Sequence, residues 1–261
     1  MRRLLSVSAV FLLGFLFLIP ACGTFGIVVG SGDLTTQDYD LADFSRVEAE
    51  NAFNIEVTRS AAFSVKVTVD DNLKDYLRIS KEGDTLKLAV RPGYTFPNAT
   101  FRAQVTMPAL RQVSLSGASR ATVSGFAARE NLNLQASGAS SVSLINMQVG
   151  TLTVDISGAC SLSGEVSADG NANIKLSGAS TVELNGRAQD LNIECSGASR
   201  ARLSGFAVRS TRVNLSGASS ASVNASGTLS GDISGASHLG YTGSPTLGDI
   251  STSGGSSVSK E

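Results

Sequence analysis

The sequence lacks several residue types on which enzymes and nucleic-acid-binding proteins rely. Its 261 residues include no tryptophan and a single histidine, His238. Charged residues make up only 16%, and the net charge is −1. A chain so close to neutral has no strong field to attract nucleic acid, so we expect no nucleic-acid partner. Any catalytic triad would have to use His238, and no matching acid stands out in the sequence.

The first residues have the pattern of a secretory signal peptide. Two arginines precede an uncharged apolar stretch over residues 4–19, which ends in Ile19-Pro20-Ala21-Cys22. This ending resembles the lipobox of bacterial lipoproteins. We therefore predict a signal peptide over residues 1–21, lipidation of Cys22, and export to the bacterial cell envelope as a lipid-anchored protein of the outer membrane or cell surface. The alternatives are a cleaved signal with an incidental cysteine and an uncleaved transmembrane anchor.

The chain between Cys22 and the repeats changes composition once. Residues 22–40 are rich in Gly, Ser and Thr without an amphipathic period, so we expect a tether. Residues 41–112 are mixed, and alternation in segments such as Phe63–Val69 predicts a β-rich N-terminal portion of the domain. Helical spacing follows in Asp71–Leu77, with Asp70 or Asp71 as the expected N-cap. A calcium site at Asp70-Asp71-Asn72 is the less favoured alternative.

Residues 113–261 repeat one tetrapeptide, Ser-Gly-Ala-Ser, which we call the SGAS motif. Copies or near copies begin at residues 116, 137, 157, 177, 196, 216, 234 and 253. Short alternating apolar segments precede and follow most copies, and a fixed period near 20 is the signature of a solenoid. We predict an all-β fold, in which residues 113–261 form a right-handed parallel β-helix or β-solenoid. An antiparallel meander is the alternative, but only Asn185-Gly186 offers the turn that it needs.

The SGAS motif itself is predicted to form a corner of each coil. Glycine adopts positive φ at little cost, and Ala and Ser are small enough to stack in a tight bend. Serine hydroxyls bond readily to nearby backbone groups. The alternative is that the Ser and Thr side chains form an exposed hydroxyl array that binds a glycan or a crystalline surface.

Two cysteines lie within the repeats. Cys160 takes the last position of its SGAS motif, whereas Cys195 directly precedes another copy. Two coil steps separate them by about 10 Å, which exceeds the Cα separation of about 7 Å that a disulfide tolerates. We therefore predict two free thiols.

An ordered series of short motifs in residues 41–240 carries a resemblance to a known family. The motifs are Phe44–Val47, Ala52–Val57, Val67–Leu73, Asp84–Leu88 and Val105–Leu110, leading into Val113–Ala118. This series resembles the bacterial domain called putative auto-transporter adhesin, head GIN domain. The resemblance implies a secreted or lipid-anchored envelope protein with a β-helix-like fold, and it names no catalytic residues.

The search for chemistry yields one candidate surface. The acids of the repeats, such as Glu165 and Asp169, do not align between coils, so we predict no catalytic residues, no metal and no cofactor. Arg120 and Arg200 share a repeat position, as do Arg129 and Arg209. Outward rows of arginine are suited to acidic glycans or to the phosphates of lipid A. The plainer interpretation is a solvated face that keeps the solenoid soluble.

Together these features predict a non-enzymatic cell-envelope lipoprotein with an adhesion or interaction role. Its partners would be the membrane, through the lipid anchor, and a glycan or an envelope protein. The alternatives are a structural component of an envelope assembly and, less favoured, a carbohydrate-active β-helix enzyme.

Overall fold

The structure is a computed structural model that describes residues 26–127 and 129–261. The predicted signal peptide and the predicted lipidation site, Cys22, lie outside the described residues. The N-terminal portion contains one 3₁₀ helix, η1 (Asp71–Tyr76), and nine strands. These strands are β1 (Gly26–Ile27), β2 (Leu34–Tyr39), β3 (Arg46–Ala49), β4 (Asn54–Arg59), β5 (Ser64–Asp70), β6 (Leu77–Glu82), β7 (Thr85–Val90), β8 (Tyr94–Thr95) and β9 (Phe101–Met107).

The repeat region continues with sixteen strands, two for each SGAS motif. They are β10 (Gln112–Leu115), β11 (Arg120–Ser124), β12 (Leu132–Ala136), β13 (Ser141–Val149), β14 (Leu152–Ile156), β15 (Ser161–Ala168), β16 (Ala172–Leu176), β17 (Thr181–Arg187), β18 (Asp190–Cys195), β19 (Arg200–Val208), β20 (Ser210–Leu215), β21 (Ser220–Ala225), β22 (Thr228–Ile233), β23 (His238–Gly243), β24 (Thr246–Thr252) and β25 (Ser257–Lys260).

These strands stack into two long sheets. Sheet 1 has the order β24-β22-β20-β18-β16-β14-β12-β10-β3-β7-β6, and sheet 2 has the order β2-β5-β9-β4-β11-β13-β15-β17-β19-β21-β23-β25. Every coil of the repeat region contributes one strand to each sheet, and each strand pairs in parallel with its equivalent one coil away. The predicted β-solenoid is confirmed, and the antiparallel meander is excluded for this region.

The core lies between the two sheets and follows directly from the alternation in the sequence. In β14 the side chains of Leu152, Val154 and Ile156 are buried, while those of Thr153 and Asp155 point outward. The parallel register places each inward residue over an inward residue of the next coil. Burial of such side chains contributes roughly 25 cal/mol per Å², so stacking stabilises coils that are too thin to fold alone.

The SGAS motif forms the corner that leads from sheet 1 to sheet 2, as predicted. In the corner of residues 177–180, Gly178 has φ of +73°, and the Oγ of Ser180 donates to the carbonyl of Ser177 at 2.9 Å. The N–H of Ala179 donates to the carbonyl of Gly158 in the preceding coil. The last position holds a buried serine in six of the eight copies and buried Cys160 in a seventh, while Ser256 of the final copy is half-buried. A hydroxyl array built from these last serines is therefore not available to a ligand.

The N-terminal portion closes one end of the solenoid. Strands β2, β5, β6 and β7 extend the two sheets with antiparallel pairs, and η1 places Leu73 over the core. Tyr76 packs against the rings of Tyr94 and Phe96 at centroid distances of 4.9 and 5.4 Å. We call this assembly of η1, β1, β8 and the aromatic rings the cap.

One expectation for this portion is wrong. Residues 34–39 do not belong to a tether, because they form β2 and pair with β5. Asp70 is the N-cap residue of η1, as expected, but its side chain makes no capping hydrogen bond. Its buried carboxylate instead accepts hydrogen bonds from the N–H groups of Gly32 and Thr100, both at 2.7 Å. The sequence of residues 34–39, Leu-Thr-Thr-Gln-Asp-Tyr, is mostly polar. It therefore lacks the alternation of apolar and polar residues that would predict a strand.

In residues 26–127 and 129–261, no helix is long and apolar enough to cross a membrane.

Candidate functional site

The candidate site is the outward face of sheet 1, where polar side chains stand in two straight rows. The Asn192 row consists of Gln112, Asn133, Thr153, Asn173, Asn192, Arg212 and Ser230. The Glu194 row consists of Ser114, Gln135, Asp155, Lys175, Glu194, Asn214 and Asp232. Both rows run along the solenoid axis.

The rows are a consequence of strand geometry. Successive side chains of a strand point to opposite faces, so the residues between the buried ones face solvent. Parallel pairing without a shift of register then stacks each outward residue over its equivalent, at a spacing of about 4.8 Å. The sequence at these positions is dominated by Asn, Gln, Ser and Thr with a few charges, which gives a surface of hydrogen-bond donors and acceptors.

Two shallow depressions flank Arg212 on this face. The first has a volume of about 430 Å³ and is lined by residues that include Asn173, Asn192 and Ser230. The second, of about 490 Å³, is lined by residues that include Lys175, Glu194 and Asp232. The Oδ1 atom of Asn192 is buried and has no hydrogen-bond partner among the described residues. The face therefore combines polar side chains with concave space.

An ion pair borders the first depression at Asp190, the first residue of β18. The Arg209 guanidinium donates to both carboxylate oxygens of Asp190, with Nε to Oδ1 at 3.1 Å and Nη2 to Oδ2 at 2.8 Å. The N–H of Ser210 also donates to this carboxylate, at 3.3 Å. The hydrogen bond from Arg209 lowers the pKa of Asp190, and the same bond raises the pKa of Arg209. The Arg209 guanidinium is therefore already paired with a carboxylate of the protein.

The structure does not bring together the four arginines predicted as a ligand surface. Arg120 and Arg200 do share a repeat position on sheet 2, but three strands lie between theirs. Their separation is therefore about 19 Å. Each donates through Nε to a serine of the next coil, Ser141 at 3.1 Å and Ser220 at 3.3 Å.

Arg129 and Arg209 do not share a repeat position, so that expectation is wrong. Backbone hydrogen bonds link Glu130, Gly150, Gly170, Gln189 and Arg209 in one column, which places Arg209 in register with Glu130. The pairing offset falls from 21 residues at Ala127 to 20 at Glu130, because the first repeat coil holds one extra residue there. Arg129 forms an ion pair with Asp169, Nε to Oδ2 at 3.6 Å.

His238 lies on the outward face of sheet 2. Its Nδ1 lies 2.9 Å from the Oγ of Ser257, and its Nε2 lies 3.5 Å from the Oγ of Ser259. Both contacts are made on an open sheet surface, with strand β25 at the edge. Among the described residues, no group of three or more His, Cys, Asp and Glu side chains is arranged to hold a metal ion.

The predicted free thiols are confirmed. Cys160 and Cys195 are both buried and unpaired. Cys195 lies in register with Leu176, which lies in register with Ile156 of the coil that contains Cys160, so two coil steps separate the cysteines. Burial raises the pKa of Cys195 to about 12 and raises that of Cys160 as well.

The sheet 1 face was missed from the sequence, although its signal is present there. The segments Leu132-Asn133-Leu134, Leu191-Asn192-Ile193 and Val213-Asn214-Leu215 each hold one asparagine between two apolar residues. Asparagine is unfavourable in strands, so its return between buried residues marks a surface on which amides are placed side by side.

The stacked coils, the serine corners and the capped end define a repeat-built β-solenoid. The chain belongs to the family described as putative auto-transporter adhesin, head GIN domain, whose model matches residues 43–245. This membership supports an adhesion role at the cell surface. No curated protein matches the sequence.

Solved structures show the same fold. A putative adhesin from Parabacteroides merdae is 21% identical, with a TM-score of 0.83 over 90% of this chain and 99% of that one. A putative lipid binding protein from Parabacteroides distasonis is 20% identical, with a TM-score of 0.82 over 90% and 99% of the two chains. A putative adhesin from the same organism is 22% identical, with a TM-score of 0.79 over 90% and 100%.

Proposed function

We propose that this protein is a non-enzymatic, lipid-anchored adhesin of the bacterial cell envelope that binds glycan chains through the outward face of sheet 1. Family membership supports the adhesion role. The lipobox-like sequence that ends at Cys22 supports the anchor. The observation that carries the ligand class is the alignment of Asn173, Asn192 and Arg212 on three adjacent strands.

Side-chain amides offer sugar hydroxyls both donors and acceptors, and a guanidinium adds further donors. Asn173, Asn192 and Arg212 line the same depression, so these groups are presented together. The even spacing of the rows suits a ligand that is itself a repeating chain. A single small molecule would use only a fraction of the face.

A glycan array tests this ligand class. The chain from residue 23 onward, which contains every described residue, should bind a subset of glycans, and Asn192→Ala with Arg212→Ala should remove that binding. Arg202→Ala is the matched control, because Arg202 is an exposed arginine on the outward face of sheet 2 that pairs with Glu183 at 3.3 Å. Binding that survives the sheet 1 variant, or that is lost equally in the control, contradicts the proposal.

The anchor has a separate test. Radiolabelled palmitate fed to the producing bacterium should enter the wild-type protein and not the Cys22→Ala variant. Equal labelling of the two, or no labelling of either, would exclude lipidation at this cysteine.

A further inference from the structure

We propose that the cap is a membrane-contact surface, in which Ile27 and Val29 enter the interface of the bilayer and hold the solenoid upright on it. The proposal rests on the anchoring of Cys22 under the proposed function. It adds a second, non-covalent contact with lipid and assigns an orientation to the molecule.

Exposed apolar side chains are concentrated at this end of the described structure. Five large apolar residues in the described ranges are exposed, and three of them lie within residues 27–34. Ile27 is 72% exposed, Val29 is 53% exposed and Leu34 is 50% exposed. Ile27 and Val29 alternate with Val28, which packs against the core, so both point away from the protein on the same side. A cluster of exposed apolar residues marks an interaction site more often than scattered ones do.

The segment that carries Ile27 and Val29 is held firmly against the cap. The N–H of Val28 donates to the carbonyl of Thr95 at 3.0 Å, and the N–H of Gly30 donates to the carbonyl of Pro97 at 3.3 Å. The Nδ2 of Asn72 donates to the carbonyl of Val29 at 2.8 Å. The apolar side chains are therefore presented on a fixed backbone.

The short segment between Cys22 and Gly26 indicates that Ile27 and Val29 contact the lipid surface. Gly26 follows Cys22 by four residue steps, and a chain of that length spans about 14 Å at most. A diacylglycerol on Cys22 would keep Gly26 and its neighbours within that distance of the acyl chains. The opposite end of the repeat region, at β24 and β25, lies about 34 Å beyond β10 and β11 along the axis, because seven coil steps of about 4.8 Å separate them.

The charged residues near Ile27 and Val29 do not favour attraction to anionic lipid. The exposed ones on η1, on the adjoining segment and at the start of the loop before β8 are Asp33, Asp71, Lys74, Asp75 and Arg91, three acidic and two basic. Apolar burial rather than attraction to anionic lipid should therefore drive the contact. We expect contact with phosphatidylglycerol vesicles to be no stronger than contact with phosphatidylcholine vesicles.

Tryptophan fluorescence tests the contact, because the natural chain has no tryptophan. Ile27→Trp provides a single reporter in the cap, and Leu247→Trp provides a matched reporter at the far end, where Leu247 is 51% exposed. The chain from Cys22 onward is coupled through that cysteine to maleimide lipids in phosphatidylcholine vesicles. Cys160 and Cys195 are buried and should not react.

With brominated phosphatidylcholine, the Ile27→Trp protein should lose most of its emission, and the Leu247→Trp protein should lose none. Absence of quenching in both proteins would overturn the proposal, as would equal quenching in both. A further variant removes the contribution of tryptophan's own affinity for interfaces. In this variant the reporter is Thr95→Trp, at the residue whose Cα pairs with that of Ile27. Quenching of this tryptophan should fall when Ile27→Ser and Val29→Ser are added. Unchanged quenching would overturn the proposal.

Chemical coupling places lipid at Cys22 whether or not cells do so. Failure of palmitate labelling therefore refutes the natural anchor, whereas failure of quenching refutes the membrane-contact surface.

Discussion

The backbone N–H of Ser140 donates to the Sγ of Cys160 in the next coil, at 3.3 Å. Cys160 is the one thiol in a column of corner serines. On either side of it, the hydroxyls of Ser140 and Ser180 donate back to the first residue of their own SGAS motifs, each at 2.9 Å. A thiol is a weaker donor than a hydroxyl, so this corner is closed less firmly than its neighbours.

Replacement of Cys160 by serine should therefore stabilise the protein. The new hydroxyl can donate to the carbonyl of Ser157, and a hydrogen bond of this kind contributes about 0.5–1.5 kcal/mol. The free energy of unfolding in urea measures the change. Ser180→Cys is the reciprocal control and should destabilise by a similar amount; a Cys160→Ser protein that is less stable than the wild type would contradict the role given to the corner hydroxyl.

The corner glycines should not tolerate a side chain. A Cβ on Gly178 would lie 2.5 Å from the carbonyl oxygen of Gly158, at φ of +73°. Gly178→Ala should cost more than about 2 kcal/mol, because close contact with backbone adds to the unfavourable left-handed conformation. Gly83 separates the two effects, since it has φ of +60° and no atom within 4 Å of its Cβ position. Gly83→Ala should cost only about 1–2 kcal/mol, and equal costs at the two sites would show that stacking does not matter.

Asp70 should make the stability of the cap depend on pH. The hydrogen bond from Thr100 lowers the pKa of this buried carboxyl. Its stabilising contribution is therefore complete above the unfolded-state pKa of about 4 and is lost as the pH falls through the lower pKa of the folded state. Asp70→Asn should therefore flatten the acid limb of the plot of unfolding free energy against pH, below about pH 5.

Asp38 is the control for this measurement. Its side chain is 75% exposed and pairs with Lys66 at 3.6 Å, so Asp38→Asn should change stability by less than about 1 kcal/mol. Amide exchange in residues 29–33 should also accelerate in Asp70→Asn, because an asparagine side chain has only one acceptor oxygen for the N–H groups of Gly32 and Thr100. Unaltered exchange there would show that Asp70 does not fasten this segment.

Thr211 should be improved by valine. It lies in an inward column with Leu191 and Leu229, it is 3% exposed, and its Oγ1 has no partner among the described residues. Removal of an unsatisfied buried hydroxyl should stabilise the protein by about 1–2 kcal/mol. Thr153→Val, on the outward face, serves as the control and should leave the melting temperature nearly unchanged. A lower melting temperature in Thr211→Val would indicate that the hydroxyl is used.

The repeat region could be predicted from sequence because two independent signals agree there. Alternation of apolar residues gives the strands, and the return of the SGAS motif gives the register in which they stack. Gly178 and Ser180 owe their roles to local backbone geometry, which residue type largely determines. The pairing of β2 with β5 could not be predicted, since Leu34 and Asp70 lie far apart in the chain and the residues of β2 are mostly polar.

The candidate site was harder to predict because a surface depends on exact register. One extra residue between Ala127 and Glu130 moves Arg129 out of the column of Arg209, and sequence spacing alone does not show where such a residue is absorbed. Pairing between side chains is equally invisible in the sequence, as the bond between Asp190 and Arg209 shows.

The parallel register also means that the solenoid can gain or lose one complete coil at a time. Each coil contacts only its two neighbours, and residues 157–176 run from one corner to the equivalent point before the next. A deletion of this segment would join Ile156 to Ser177 and leave inward and outward residues in phase. The solenoid would then shorten by about 4.8 Å, while the cap, Asn192 and Arg212 stayed as they are and Thr153 took the place of Asn173 beside Asn192.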